Sequence, residues 1–426
     1  MYKSILKNKS FLGYWGSTTL MRLASNMLQF ALALFVLDLT GSALIFSTVL
    51  SAIIFPRIIG TPIAGYLADY KDCLRILKLG ALGLTALMLS FFLIHTLITP
   101  LNISLIYVLV ICLELCETLI SASEMKAVIC IVDENQIAAA SKLSSLDDGI
   151  VEILSPVIAG FAYGLFGIQA VLLATLVSEL VAFLLTLMLR DRAKNMTENP
   201  GIMNKQSLLH EAMTSYKEAI VSLQEYNYVL GVILFAPLFN FFVSPLFSVT
   251  VPHFIRITTK SSIEIYTAYN LALGIASVVA PFIAMWLIRD KAEHKANLRG
   301  TIIYAFLMLI LSFVTQSFSS IQPATLLSII AGAMVLAVII ITLMSIATTI
   351  TVKTSIPEQV LGRIASIIQL CAIVSTPLGQ LLYGYFADRF PIFLSFACSS
   401  LGLLATYVIM KKTYKKLKRE KQKNGY

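Results

Sequence analysis

Glu114, Glu117, Ser121 and Glu124 follow one another at intervals of three or four residues within an otherwise apolar run, LIYVLVICLELCETLISASE. That spacing puts them on one face of a helix. A second acidic set follows at Asp147, Asp148 and Glu152, with Asp148 and Glu152 one helical turn apart. Carboxylates this close cannot all ionise where the dielectric is low. At least one of Glu114, Glu117, Asp148 and Glu152 is therefore expected to carry a proton near neutral pH, and taking up and releasing that proton is the chemistry this pattern can perform. Arg22 and Arg57, each isolated in an apolar run, are natural partners to hold another carboxylate ionised. Competing readings are that Glu114 pairs structurally with one of these arginines and that Glu124 and Asp147 are simply solvated. Glu179, alone in a later apolar run, reads as structural.

The elements that must position these groups follow from composition. The 426-residue chain is 58% hydrophobic and 13% charged, with a mean hydropathy of +0.85. Soluble domains carry about 25% charged residues, so this chain lacks the polar side chains to cover a water-facing surface. Its apolar runs are long and continuous rather than alternating, which selects membrane-spanning helices over a barrel. Runs at 11–37, 42–68, 75–97, 102–126, 140–165, 168–189, 227–251, 263–288, 300–318, 323–351, 362–387 and 392–411 predict an all-α integral membrane protein with twelve spans. A charge buried among them costs at least about 2.5–3.5 kcal/mol, so by default it faces the bundle interior and marks function.

Orientation follows from Lys and Arg. With the N-terminus inside, 27 of the 32 basic residues fall on the cytoplasmic side; Arg256, Lys260 and Arg389 fall outside, and Arg22 and Arg57 within spans. Both termini are thus expected in the cytoplasm of a multi-pass cell-membrane protein. The net charge of +9 belongs to these loops and the tail, and no nucleic-acid partner is expected. The chain divides into a six-helix half at 1–190, a linker at 191–225 with an amphipathic helix, a six-helix half at 226–412 and a basic tail at 413–426. At an offset of 224 residues, Glu134 meets Glu358, Gly160 meets Gly384, Phe166 meets Phe390 and Ile168 meets Ile392. Two such pseudo-symmetric halves are a known transporter plan, with substrate bound between them near the midplane.

The segment Gly65-Tyr66-Leu67-Ala68-Asp69-Tyr70-Lys71-Asp72 resembles the loop between helices 2 and 3 of the major facilitator superfamily, G-x-L-A-D-R-x-G-R. Gly65, Leu67, Ala68 and Asp69 match, while Tyr70, Asp72 and Cys73 depart from the pattern. The resemblance implies a cytoplasmic gate at Gly65 and Asp69, with its basic partners displaced to Lys71 and Arg75. Ser155, Pro156 and Gly160 resemble a degenerate form of that family's exporter signature, G-P-x-x-G-G. Leu39-Thr40-Gly41-Ser42-Ala43 and Leu361-Gly362-Arg363-Ile364 look like segments of its macrolide-efflux-like branch. Gly384-Tyr385-Phe386-Ala387-Asp388-Arg389 resembles the first motif more closely than the motif's own repeat position does, yet falls on the outer side; it reads as a decoy. The resemblance implies the major facilitator fold and proton-coupled efflux of lipophilic or other amphiphilic small molecules by alternating access.

Asn240, Asn270 and Gln369 are the neutral polar candidates for a substrate cavity in the second half. Proton and small-molecule substrate are the expected partners, in a lipid bilayer, with the chain working as a monomer. No phosphate loop, nucleophile or metal-ligand spacing is evident, so no cofactor, no metal and no enzymatic activity are expected. An importer or symporter of the same fold, and a non-transporting membrane sensor, are the alternatives.

Overall fold

The computed structural model describes residues 5, 8–58, 60–61, 64, 72–98, 102–132, 134–189, 227–287, 293–317, 321–355 and 358–423. Within these, the side chains of 227–235, 285–287, 293–296, 349–355, 358–370, 373 and 413–423 lie outside the description, as do several between 122 and 153, Asp148 and Glu152 among them. The linker at 191–225 and the gate residues Gly65, Asp69 and Lys71 also fall outside it.

The described chain is helical. Its long helices are α1 (Lys9–Thr40), α2 (Ala43–Ala52), α3 (Cys73–Leu93), α4 (Ile103–Ile131), α5 (Glu134–Thr186), α6 (Asn227–Pro245), α7 (Ile263–Leu287), α8 (Glu293–Gln316), α9 (Pro323–Ser355), α10 (Glu358–Arg389) and α11 (Ile392–Lys423). Among the described residues, nine helical segments are long and apolar enough to cross a bilayer. Many of their large apolar side chains point outward: Leu97, Phe282, Phe313 and Leu401 are all exposed. A water-soluble protein would bury them. In a bilayer they meet lipid, while the helices satisfy their own backbone groups.

Local chemistry sets the boundaries. Asn8 caps α1, its side chain accepting from the amides of Ser10 and Phe11, and its Nδ2 donates to Ile131 O at 3.1 Å. Asn102 caps α4 in the same way. Gly41 ends α1 in the left-handed conformation (φ 63°), its amide donating to Leu37 O, a stop that glycine adopts without a Cβ penalty. Gly167 (φ 75°) breaks α5, and this divides it where the sequence predicts separate spans at 140–165 and 168–189. Asp72, a departure from the family's loop pattern, caps α3 by accepting from the amides of Leu74 and Arg75. Arg75 turns back onto Asp72 at 3.2 Å and is largely exposed, so it serves the start of its own helix.

The chain forms two compact units. The first comprises Met1–Gly41, Ala52–Gly201 and Ser262–Leu271; the second comprises Ser42–Ser51, Ile202–Ser261 and Ala272–Tyr426. In the first, α1 packs chiefly against α5, and α3 against α4 and α5. In the second, α6 packs against α10 and α11, and α8 against α9 and α11. Beyond Pro245, α6 continues through π-helical turns at Leu246–Thr250 and Phe254–Thr258; such turns recur at functional sites.

Candidate functional site

The first unit encloses a cavity of about 300 Å³ whose lining includes Met21, Arg22, Ser25, Asn26, Arg57, Thr61, Glu114, Glu117, Ser121 and Glu124. The three-and-four spacing on α4 thus brings all four of its residues to one cavity wall. Arg22 comes from α1, and Arg57 from the stretch following α2.

Two ion pairs cross this space. Arg57 Nε donates to Glu114 Oε1 at 2.6 Å, with the Glu114 side chain only 2% exposed and that of Arg57 49% exposed. Arg22 Nη2 donates to Glu124 Oε2 at 3.4 Å. The expectation that Glu124 is simply solvated gives way: its side chain is 17% exposed, and Tyr14 OH donates to its backbone carbonyl at 3.2 Å. Asp147 is likewise buried and accepts from Thr19 Oγ1 at 2.6 Å. A charge-assisted hydrogen bond of that length replaces water as its solvent.

Glu117 differs from its neighbours. The Ser25 side chain hydrogen-bonds its carboxylate, but Oε1 is buried with no partner among the described residues. Glu114 Oε2 is in the same condition. A buried oxygen without a donor is costly while charged. It is stabilised by a proton or by a cationic ligand. This wall can therefore bind and release positive charge, with two arginine pairs flanking the exchangeable group.

Glu179, which reads as structural in the sequence, is a further buried acid of this unit. It lies on the far side of the Gly167 break, 1% exposed, with Oε2 unpartnered among the described residues, and is close enough to Glu117 to feel its charge. Its backbone carbonyl accepts from Thr85 Oγ1 at 3.1 Å. The only sequence signal for it was an acid in an apolar run.

Other candidates sit elsewhere. Asn270 donates to Tyr266 O at 2.9 Å, one turn back on α7, and neither it nor Asn240 is among the cavity's lining residues. Both are partly buried. Ser155 is buried, its hydroxyl donating to Val151 O at 2.6 Å, and Pro156 lies inside α5. A Cβ on Gly160 would run into the Thr267 side chain. The small residues of this stretch thus serve close helix approach. Among the described residues no group of three or more His, Cys, Asp or Glu could hold a metal ion. The side chains of Asp148, Glu152 and Gln369 lie outside the described residues.

Solved structures with the same fold include a bacterial homologue of the iron transporter ferroportin in its inward-facing state (14% identity, TM-score 0.70, covering 96% of this chain and 98% of that one). They include a D-xylose–proton symporter (11% identity, TM-score 0.68, 96% and 97% covered) and a bacterial metal transporter (13% identity, TM-score 0.60, 95% and 97% covered). No curated protein matches the chain by sequence. The family model described as Major Facilitator Superfamily matches residues 14–379. Nearly the whole length is matched, and the described chain is helical as that family's fold is: the chain belongs to the Major Facilitator Superfamily.

Proposed function

We propose that the protein exports lipophilic or other amphiphilic small molecules in exchange for protons, by alternating access. The observation that carries this reading is Glu117: a cavity-lining carboxylate with one buried oxygen unpartnered among the described residues, between the Arg57–Glu114 and Arg22–Glu124 pairs. A proton and a cationic substrate would compete for that oxygen, and competition for one site is the simplest form of antiport. The efflux direction and the macrolide-like substrate class come from the resemblance of Ser155, Pro156 and Gly160 to the exporter signature and from the branch-like segments.

The proposal includes twelve spans in two six-helix halves, cytoplasmic termini, residence in the cell membrane and a monomeric working unit. It keeps Asp148 and Glu152 as further proton candidates, Asn240, Asn270 and Gln369 as substrate contacts, and Gly65, Asp69, Lys71 and Arg75 as the cytoplasmic gate. The second reading is a proton-coupled importer, favoured by the polar lining that Ser25, Asn26, Thr61 and Ser121 give the cavity. A D-xylose–proton symporter shares the fold.

Proteoliposomes with an acidic lumen, challenged with lipophilic cations, macrolides, tetracyclines and sugars, test both. Gradient collapse on adding an amphiphilic compound, lost in Glu117→Gln, is the expected result. Substrate-driven alkalinisation of the outer medium with a sugar would favour the importer. A wild-type response that Glu117→Gln leaves intact would remove Glu117 from the mechanism.

A further inference from the structure

We infer that Asp388, at the C-terminal end of α10, is the latch of a gate at the start of α2, on the side that the Lys and Arg distribution places outside. By sequence, Ser42–Ser51 belongs with the first helices, yet it is grouped with the second unit. Asp388 is what holds its start there. Its Oδ1 accepts from the Ala43 amide at 2.6 Å, and its Oδ2 accepts from Ser42 Oγ at 2.6 Å and from the Leu44 amide at 3.1 Å. One carboxylate thereby caps the first turn of α2, satisfying two amides that have no partner within the helix. Its negative charge also lies at the positive end of the helix dipole.

Two further contacts make this a built joint. His253 Nε2, between the two π-helical turns that continue α6, stands 3.7 Å from Asp388 Oδ1. One turn back on α10, a Cβ on Gly384 would collide with the Ser47 hydroxyl and the Ala43 carbonyl. The two helices therefore meet backbone to backbone at Gly384, and Asp388 ties them at the rim. The GYFADR segment that reads as a decoy in sequence thus does for α2 what a helix cap does, from 344 to 346 residues away. Ser42, His253 and Asp388 all lie near the loops that the Lys and Arg distribution places outside. The purpose of the latch rests on the transport reading of the protein: closing the outer mouth while the other side is open. Its existence as a release point does not.

The test uses full-length protein with the six native cysteines replaced by serine and one cysteine placed at Ser51, which is buried about one turn deeper than Ser47. An impermeant maleimide is added to intact cells. Asp388→Asn, Ser42→Ala and Gly384→Val are each expected to speed labelling about tenfold or more, as the loss of a cap allows. Amide hydrogen exchange across 42–51 should rise in the same variants, with exchange across 103–121 unchanged. Ser42→Ala, the mildest change, guards against misfolding. Unchanged labelling and unchanged exchange in all three would overturn the latch. Because neither readout needs a substrate, failure of the transport reading would leave the result standing. Faster labelling without any proton-coupled transport would separate the two.

Discussion

Arg57 Nε reaches Glu114 Oε1 at 2.6 Å, while Oε2 of the same carboxylate is buried with no partner among the described residues. The two ends of this pair live in different solvents. Arg57 is half-exposed and Glu114 almost wholly buried. Removing the arginine strands a buried charge; removing the charge strands nothing comparable. Arg57→Gln is therefore expected to cost more stability than Glu114→Gln, by about 1–2 kcal/mol once screening at Arg57 is allowed for. The double variant should lie close to Glu114→Gln alone. Thermal unfolding in detergent reads all three, and an ordering with Glu114→Gln as the worst would sink the argument.

Glu117 and Glu179 are expected to act on one proton. Both are acids with a buried oxygen that has no partner among the described residues, and Glu179 lies close enough to Glu117 to feel its charge. Replacing Glu179 by Gln removes a buried acid without changing its shape, so thermal stability should hold or rise. Substrate-driven proton movement should fall. The Glu117→Gln/Glu179→Gln double variant should move no fewer protons per substrate than Glu117→Gln alone, because coupled sites are non-additive. Independent, multiplying losses would show that Glu179 acts elsewhere.

How much of this was legible differs from element to element, and the reason is sequence distance. The predicted spans 11–37, 323–351 and 392–411 lie inside observed helices, 75–97 lies inside α3 and the π-helical turn Ile94–Ile98 that continues it, and the break before 168 falls at Gly167. These are local features: apolar runs and a residue free to take positive φ. The shared face of Glu114, Glu117, Ser121 and Glu124 was equally local, and all four line the cavity. Pairings were not local. Nothing near Arg57 in sequence says that it takes Glu114 rather than Glu124; the choice is made by where the chain after α2 crosses α4. Asp147 and Thr19 are 128 residues apart, and the solvated reading of Asp147 failed for want of that contact. Asp388 looked like a misplaced copy of a loop motif because its partners lie at the far end of the chain.

Thr19→Val tests the Asp147 contact. The substitution keeps the shape of the side chain and removes a donor to a buried carboxylate, the one seen among the described residues. A hydrogen bond to a charged group contributes about 1–3 kcal/mol, and a loss of that size is expected in thermal unfolding. Thr19→Ser, which keeps the hydroxyl, should recover most of it. Equal losses in both variants would mean that Thr19 acts through packing and not through Asp147.

Gly160 offers a test of the exporter-signature stretch that needs no substrate. A methyl group there would enter space held by the Thr267 hydroxyl and Cγ2. Thr267 belongs to Ser262–Leu271, the part of α7 that joins the first unit. Its Oγ1 is buried without a partner among the described residues, so truncating it forfeits no hydrogen bond seen there. Gly160→Ala should therefore destabilise by about 1–3 kcal/mol, the range for overpacking a close contact, and Thr267→Ala by less. In the double variant the new methyl takes the place of the lost side chain, and stability should return to within about 1 kcal/mol of the wild type. Thermal unfolding of the two single variants and the double variant gives the coupling directly. If the two losses simply add, the small residue at 160 is required by something other than its approach to Thr267.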